Sequence, residues 1–230
     1  MEPFHILVVE DDPDINRLLC KIVADAGYDC RPAYSGSEAL LLAEKYSYDL
    51  ILLDLMLPGL SGEELIAKLR SGKTMPIIVL SAKAGTEARV NVLKLGADDF
   101  IPKPFENIEV LARMEAQLRR YKKFSDVTAV GALQWGDLVL DRDSVQVTAG
   151  GTEVTLTARE FEILALLMER PKKVFTREQI YVQVWGEEYM GDDNTVNVHI
   201  SNLRSKLNKA SGKDHIKTVW GIGFKMMEEA

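Results

Sequence analysis

The stretch Asp49-Leu-Ile-Leu-Leu-Asp54 is a short apolar run that ends on a carboxylate, and the turn-forming residues 57–62 follow it at once. Three other apolar runs in the first half of this 230-residue chain also end on polar groups. They lead to the acids Glu10, Asp11 and Asp12, to Ser81, and, from 98–101, to Pro102-Lys103-Pro104. Amphipathic segments of helical length separate the runs, which is the pattern of buried parallel strands joined by helices. The sequence therefore predicts an open α/β sheet.

The polar residues at the ends of these runs are expected to meet in one crevice, because open α/β sheets place their sites at the carboxyl ends of parallel strands. Clustered carboxylates repel one another unless a divalent cation lies between them, and an all-oxygen ligand set suits Mg²⁺, which also takes a phosphate oxygen. The cation, Ser81 and Lys103 would neutralise a phosphoryl group in transfer, with Asp54 as the nucleophile. The residues alone thus suggest phosphoryl transfer onto an aspartate.

In the order and spacing of these residues, 4–122 resembles the receiver domain of two-component response regulators. The resemblance implies a doubly wound, five-stranded parallel sheet of the flavodoxin-like type, Mg²⁺ as cofactor, and a sensor histidine kinase as partner. It also implies a cis bond between Lys103 and Pro104. The site residues that it implies are the phosphoacceptor Asp54, the metal-binding Glu10, Asp11, Asp54 and Met56 (through its carbonyl), the phosphoryl-binding Ser81 and Lys103, and the switch residues Ser81 and Phe100.

Each of these residues, taken singly, has an ordinary structural explanation. A lone Asp after an apolar run is usually a strand-end residue, Glu10 and Asp11 could cap the following helix, and Phe100 would be core. Their joint order favours the functional interpretation. A rival is an Mg²⁺-dependent phosphohydrolase with an Asp nucleophile. Dehalogenase-like phosphatases, however, need a second acid two residues after the nucleophile, where this chain has Met56.

The composition is that of an ordinary globular protein, with 47 % hydrophobic residues, 27 % charged residues and a net charge of −7. The length suits two modest domains. No apolar stretch approaches the roughly 20 residues of a membrane helix, and the N-terminus has no signal-peptide pattern. We therefore expect a cytoplasmic protein without membrane contact. The chain has two cysteines, Cys20 and Cys30, which are too few for its fold to depend on disulfides, and we expect both to be reduced, buried thiols.

The pattern of predicted secondary structure changes after the receiver-like part. The last helix of that part is expected at 107–120, with Ile108, Leu111, Leu118 and Tyr121 toward the core. Residues 123–130 are polar and predict a flexible linker between a domain at 1–122 and a second domain at 131–230. Four short alternating segments predict an antiparallel sheet: 133–135, 138–140, 145–147 and 154–156. Capping-box signatures at 157–160 and 176–179 begin two helices. A third helix is expected at 194–209, and 215–226 is expected to form a hairpin whose turn needs Gly221 and Gly223.

The third predicted helix has one apolar stripe, formed by Val196, Ile200, Leu203 and Leu207, which must face the core. Its outer face is short, neutral and rich in hydrogen-bonding groups, so it suits a DNA major groove. Between 194 and 225 there are six basic residues against one acid, a local excess of five on an acidic chain. The alternative is a merely solvated face. The residues expected at DNA are Asn194, Thr195, Asn197, Val198, Ser201, Asn202, Arg204, Ser205, Lys206 and Trp220.

Residues 130–228 are similar to the winged-helix effector domain of the OmpR/PhoB family. The likeness rests on Leu156-Thr-x-x-Glu-Phe161, Val184-Trp-Gly186, the run 195–207, and Thr218-Val-x-Gly-Ile-Gly-Phe224. It implies a recognition helix at 194–207, a wing at 220–223, and a loop at 186–193 toward RNA polymerase. Ser201, Asn202 and Trp220 stand where members often carry arginines, which predicts a shallower salt dependence. Trp220, with 119–125, also resembles regulators of vancomycin-resistance operons.

The two resemblances together predict a transcriptional regulator rather than an enzyme, with an α/β receiver followed by an α+β winged-helix domain. Phosphorylation of Asp54 would promote a homodimer and binding to double-stranded promoter DNA. A receiver whose output domain binds protein is the remaining rival. The dimer face would pair Arg89 with Glu109, Asp99 with Arg113, and Asp98 with Arg120, around an apolar patch of Val92, Leu95 and Ala112.

Overall fold

The computed structural model describes residues 3–83, 85–126, 132–186 and 193–228. The chain divides into two compact units, Met1–Tyr121 and Lys122–Ala230. The last helix of the first unit continues to Asp126, so the first part of the predicted linker is helical. The rest of that linker, at 127–130, lies outside the described residues, as does most of the predicted polymerase loop.

The first unit is a five-stranded parallel sheet in the order β2-β1-β3-β4-β5. Its elements are β1 His5–Val9, α1 Pro13–Asp25, β2 Asp29–Ala33, α2 Gly36–Lys45, β3 Leu50–Asp54, α3 Gly62–Leu69, β4 Ile77–Ser81, α4 Thr86–Leu95, β5 Asp99–Pro102 and α5 Asn107–Asp126. Strands and helices alternate along the chain and the order reverses between β1 and β3, as in a doubly wound fold. The predicted fold class is confirmed.

The central strands are buried along their length because helices cover both faces of the sheet. Two local devices set the geometry beside the strand ends. The Asp12 carboxylate accepts hydrogen bonds from the amides of Asp14 and Ile15, at 2.8 and 3.1 Å, and so begins α1. A Cβ at Gly62 would lie 2.6 Å from the Asp54 carbonyl oxygen, so only glycine lets α3 start against the end of β3.

Two expectations about this unit were wrong. Cys20 in α1 and Cys30 in β2 form a disulfide, with their Cα atoms 5.5 Å apart, because α1 packs beside β2. Ile108 was expected in the core, but it lies on the outer side of α5 and is 78 % exposed. Val110, Met114 and Leu118 fill the core face of that helix instead.

The second unit has a four-stranded antiparallel meander, a helical core, and a three-stranded sheet in the order β10-β12-β11. Its elements are β6 Leu133–Trp135, β7 Leu138–Asp141, β8 Gln146–Ala149, β9 Thr152–Glu153, α6 Ala158–Glu169, β10 Phe175–Thr176, α7 Arg177–Trp185, α8 Asp193–Ser211, β11 Ile216–Val219 and β12 Gly223–Met226. This is the predicted winged-helix type. Both predicted capping boxes, at the starts of α6 and α7, are confirmed.

Three details of this unit differ from the sequence prediction or refine it. The fourth strand is Thr152–Glu153 rather than 154–156, and the short β10 was not expected. Gly221 has a φ of 74°, as the predicted turn requires. Gly223 is needed for another reason, since a Cβ there would lie 1.9 Å from the Phe175 carbonyl oxygen of β10.

Candidate functional site

The polar residues predicted at the strand ends do form a single pocket at the carboxyl edge of the first sheet. Glu10 follows β1, Asp54 ends β3, Ser81 ends β4 and Lys103 follows β5, and these four strands are neighbours. One oxygen from each of Glu10, Asp11 and Asp54 lies within 4.8 Å of the other two. Glu10, Asp54 and the exposed Asp11 therefore make one oxygen-rich cluster.

The Lys103 ammonium is the counter-charge of this cluster. Its Nζ donates to Glu10 Oε2 and to Asp54 Oδ2, both at 2.7 Å. All three side chains are largely buried, with exposures of 13 % for Lys103, 2 % for Glu10 and 7 % for Asp54. In such surroundings each charge depends on its partners, because water screens it little. The cis bond predicted between Lys103 and Pro104 is present.

The protonation behaviour of the pocket follows from this packing. Burial raises the pKa of the Glu10 carboxyl, and the nearby Asp54 charge adds to the rise, while the hydrogen bond from Lys103 opposes it. Burial by itself lowers the pKa of Lys103, but the hydrogen bonds to Asp54 and Glu10 outweigh it and raise that pKa. Lys103 is therefore held as an ammonium, ready to bond additional anionic oxygens.

The backbone around the pocket is fixed by groups that the sequence prediction did not single out. The buried Asn16 amide donates to the carbonyl oxygens of Glu10 and Ala33, both at 3.0 Å, and so ties the ends of β1 and β2 together. A polar residue on the inner face of an amphipathic helix was the available signal. The Met56 amide donates to Asp54 Oδ1 at 3.3 Å, so the main chain at Met56 passes directly beside the acceptor carboxylate.

The two predicted switch residues are both buried. Ser81 is fully buried, and its Oγ accepts a hydrogen bond from the Lys83 amide at 3.1 Å. Phe100 lies in β5 and packs inside the unit with 5 % of its surface exposed. The Lys83 side chain turns away and pairs with Glu63 at 2.8 Å. In this conformation the Ser81 hydroxyl is thus engaged by the backbone of its own loop.

The second candidate site is the outer face of α8. The predicted apolar stripe is buried, as expected. Of the residues predicted at DNA, three are exposed (Asn194, Ser201 and Ser205) and four are half-buried (Asn197, Asn202, Arg204 and Lys206). Thr195 and Val198 are 1 % and 6 % exposed, so the prediction that they face DNA was wrong. The helix packs against both α6 and α7, which makes its buried arc wider than one stripe.

Comparisons with known proteins identify the families of both units. Residues 6–115 match the family described as "Response regulator receiver domain", and 151–226 match "Transcriptional regulatory protein, C terminal". The transcriptional regulatory protein ResD of Bacillus subtilis (strain 168) is 43 % identical over 226 residues, covering 96 % of this chain and 94 % of ResD.

Two solved structures span the same length. A mutant of RitR has a TM-score of 0.82 at 31 % identity, and the match covers 98 % of this chain and 100 % of the RitR chain. DrrB of Thermotoga maritima, described as an OmpR/PhoB homolog, has a TM-score of 0.51 at 28 % identity over the same shares of the two chains. The chain belongs to the two-component response regulators of the OmpR/PhoB type.

As an OmpR/PhoB-type response regulator, the protein is a phosphorylation-dependent, DNA-binding regulator of transcription and not a metabolic enzyme. Its partners are a histidine kinase and DNA. The phosphohydrolase and the protein-binding output domain are therefore set aside. The narrower likeness to vancomycin-resistance regulators stays a prediction. Among the described residues, no helix is both long and apolar enough to cross a membrane.

In this regulator, Arg204 joins α8 to the β11–β12 hairpin. Its Nε donates to the Ile216 carbonyl oxygen at 3.0 Å, and its Nη2 donates to Thr218 Oγ1 at 2.7 Å. Burial lowers the pKa of this guanidinium. Lys206 is also engaged, donating to Glu160 at 2.6 Å. Arg204 and Lys206 therefore fix the packing of the domain around the helix.

Four of the six charged residues predicted for the dimer face, Asp98, Asp99, Glu109 and Arg113, are bonded within one chain. Asp98 is fully buried and accepts from Arg70 Nη2 at 2.7 Å and from the Ile77 amide at 2.9 Å. Its predicted pairing with Arg120 of a second copy is therefore wrong for this conformation. Arg113 pairs with Asp99 and with Glu109, both at 3.1 Å. The side chain of Arg120 lies outside the described part of the chain.

The apolar patch predicted at that face also needs correction. Val92 is 1 % exposed and belongs to the core. Ala112 is exposed, and Ile108 precedes it by one turn on the same side of α5. Leu95 is half-buried at the end of α4, whereas the exposed Ala112 and Ile108 belong to α5, where the sequence prediction had assigned Ile108 to the interior.

Proposed function

We propose that Asp54 accepts the phosphoryl group from a phosphohistidine of the partner kinase. A carboxylate oxygen of Asp54 attacks phosphorus while the bond between phosphorus and the imidazole nitrogen breaks, and that nitrogen keeps the electron pair. Because the other ring nitrogen carries a proton, the donor histidine is released as a neutral imidazole. The observation that carries the proposal is the position of Lys103, whose ammonium lies 2.7 Å from both Asp54 and Glu10. That ammonium group lies where it can bond the oxygens of the transferred phosphoryl group.

Glu10, Asp11, Asp54 and the carbonyl of Met56 would hold Mg²⁺, a hard cation that takes oxygen ligands. The fit is supported by the donor chemistry, since oxygens of the three acids lie within 4.8 Å of one another. When bound, the cation would neutralise charge on the acids and on the phosphoryl group. Lys103 would share that task, and its raised pKa keeps it charged.

Phosphorylation would act on the fold through Ser81 and Phe100. The Ser81 hydroxyl would leave the Lys83 amide and bond a phosphoryl oxygen, and Phe100 would move toward the vacated space. This is a local charge change that biases a two-state element. The elements moved would be α4, β5 and α5, which carry the residues proposed for the dimer.

A homodimer formed through α4, β5 and α5 would follow phosphorylation. Arg89, Asp99, Glu109 and Arg113 lie on these elements, and their charge pairs across the dimer would fix orientation rather than supply affinity. Ile108, with 78 % of its surface exposed, would supply apolar contact. Two effector domains would then reach half-sites about one helical turn apart.

The exposed hydrogen-bonding residues of α8 would enter the major groove. Asn194, Ser201, Asn202 and Ser205 offer amides and hydroxyls that suit base edges. Because they carry no charge, they would contribute specificity with little salt dependence. A contact between the loop at 186–193 and RNA polymerase is proposed from the family resemblance alone.

The test is DNA binding to the promoter of its own operon, with and without acetyl phosphate and Mg²⁺, for the wild type and Asp54→Ala. Tighter, dimeric binding on phosphorylation, lost in the variant, is the expected result. Mass measurement of the intact protein should show one phosphoryl group on the wild type and none on the variant. If the two proteins bind DNA alike under both conditions, Asp54 is not the switch.

A further inference from the structure

The tip of the wing is unusually apolar for a surface that approaches DNA. Trp220 is 90 % exposed, the highest value among large hydrophobic side chains in the part of the chain that the structure describes, and Ile222 is 53 % exposed. Both belong to the five-residue tip Val219-Trp-Gly-Ile-Gly223, which holds no charged residue. Large apolar side chains exposed together on a soluble protein mark a contact surface.

The tip is held rigidly. The Ile222 amide donates to the Val219 carbonyl oxygen at 3.0 Å, and Gly221 turns the chain with a φ of 74°. At its base, Gly223 packs directly on the backbone of β10. Trp220 therefore projects from a preformed hairpin, which loses little conformational entropy when it binds.

The wing is also fixed to the recognition helix. Arg204 of α8 donates to Ile216 and Thr218 of β11, at 3.0 and 2.7 Å, so the hairpin and the helix move as one piece. The exposed Lys217 lies on the same strand and can meet a phosphate. When α8 occupies a major groove, the groove next to the wing is the minor groove of the same duplex. This continuity argues for DNA as the partner of the tip.

We propose that Trp220 and Ile222 act as an apolar wedge, which enters the minor groove, inserts between two neighbouring base pairs and bends the duplex. The proposal rests on the placement of α8 in the major groove. Apolar side chains inserted from the minor groove unstack a base step and kink DNA toward the major groove. Pyrimidine–purine steps unstack most readily. The wing would thus select TA or CA steps by their flexibility, without hydrogen bonds to bases.

The experiment uses the full chain, phosphorylated with acetyl phosphate, and a duplex selected from random sequences by that protein. The duplex carries a fluorophore at each end to report bending, and 2-aminopurine at the step under the wing to report unstacking. The variants are Trp220→Ala, Trp220→Phe, Trp220→Arg and Ile222→Ala, with thermal midpoints measured to show that each is folded.

Trp220→Ala should weaken binding roughly tenfold, since base–aromatic stacking is usually of that size. It should also reduce the bend and the 2-aminopurine signal, while the slope of log K against log salt stays unchanged. Trp220→Phe should retain most of the bend. Trp220→Arg should steepen the salt slope by about 0.9, because one phosphate contact is gained, yet it should not restore the bend.

The wedge is refuted when Trp220→Ala binds and bends the duplex as the wild type does. It is equally refuted when the variant loses affinity with no change in bend or 2-aminopurine signal. Unchanged DNA binding with reduced transcription by added RNA polymerase would assign the tip to the polymerase instead. Asn202→Ala tests α8 separately: wild-type affinity and sequence preference in that variant would count against the helix placement on which the wedge rests, whereas the Trp220 variants test the wedge itself.

Discussion

The buried pair of Arg70 and Asp98 gives the sharpest test of the receiver as described above. The sequence suggested that Asp98 reaches a second copy, whereas the structure encloses it completely, 2.7 Å from Arg70. Arg70 is itself 10 % exposed in its side chain and also donates to the carbonyl oxygens of Gly96 and Met75, both at 2.8 Å. We therefore expect the main effect of Arg70→Met to be a lower free energy of unfolding rather than weaker dimerisation.

The magnitude follows from leaving a carboxylate buried without its cation. Breaking a buried ion pair from one side destabilises a protein by about 3–5 kcal/mol. For a unit of this size, each kcal/mol lowers the melting midpoint by roughly 3–6 °C, so the midpoint should fall by about 10–30 °C. Asp98→Asn in the Arg70→Met background should recover part of that loss, because the uncompensated charge is gone.

The assay is calorimetry of the full chain, in which the transition of the second unit serves as an internal reference. Arg17→Met is the matched control, because Arg17 pairs at the surface with Asp14, and its midpoint should not move. A loss of less than about 1 kcal/mol in the free energy of unfolding of Arg70→Met would refute the reasoning, because removing one partner of a buried ion pair costs more than that. Weakened dimerisation at an unchanged midpoint would restore the sequence interpretation.

Three further predictions concern the effector domain. Burial lowers the pKa of His215 from its ordinary 6.5, and the charge of Asp137 partly opposes this shift. The unfolded chain therefore binds the proton more readily, and the domain should lose stability as the pH falls below about 6.5. His215→Gln should reduce this pH dependence of stability, as measured by urea titrations at pH 7.5 and 5.5. Gly223→Ala should cost about 3 kcal/mol by the same titration at pH 7.5, because its Cβ would meet the Phe175 carbonyl oxygen at 1.9 Å. Gly212→Ala, whose Cβ would meet no atom but whose φ of 71° strains alanine, should cost only about 1–2 kcal/mol. Arg204→Ala should remove two charge-assisted hydrogen bonds, speed hydrogen exchange of the wing strands and weaken DNA binding; unchanged exchange would contradict the anchoring role.

The clustering of Glu10, Asp54, Ser81 and Lys103 in one pocket could be predicted from the sequence, because each of these residues directly follows or ends an apolar strand. A run that is buried on both faces must be apolar, so the first polar residue after it marks the sheet edge, as at Asp54 and Ser81. The capping boxes at Thr157 and Thr176 were readable for a similar reason, since both partners lie within four residues. What could be predicted was therefore set by short-range geometry.

The errors arose where a side chain is paired across the fold. Asp98 looks like a surface acid until Arg70, 28 residues earlier, is brought beside it. Val198 is on the polar side of a helical wheel, but α8 is enclosed from two directions, and a wheel allows for only one. Cys20 and Cys30 meet because of the way in which α1 lies on β2. None of these contacts leaves a periodic trace in the chain.

The two outer strands of the receiver sheet share a feature that bears on aggregation. The Asp29 amide donates to the Phe4 carbonyl oxygen, and the Lys103 amide donates to the Ser81 carbonyl oxygen, so both point toward the neighbouring inner strand. Along each outer strand, the residues between such inward-pointing positions direct their amide positions away from the sheet. Pro32 in β2 and Pro102 in β5 occupy such outward positions, and neither has an N–H to offer. Each free edge therefore lacks a donor where another chain's strand would dock. Fibril-like growth by strand addition is disfavoured at both edges, which leaves self-association to the helical surfaces.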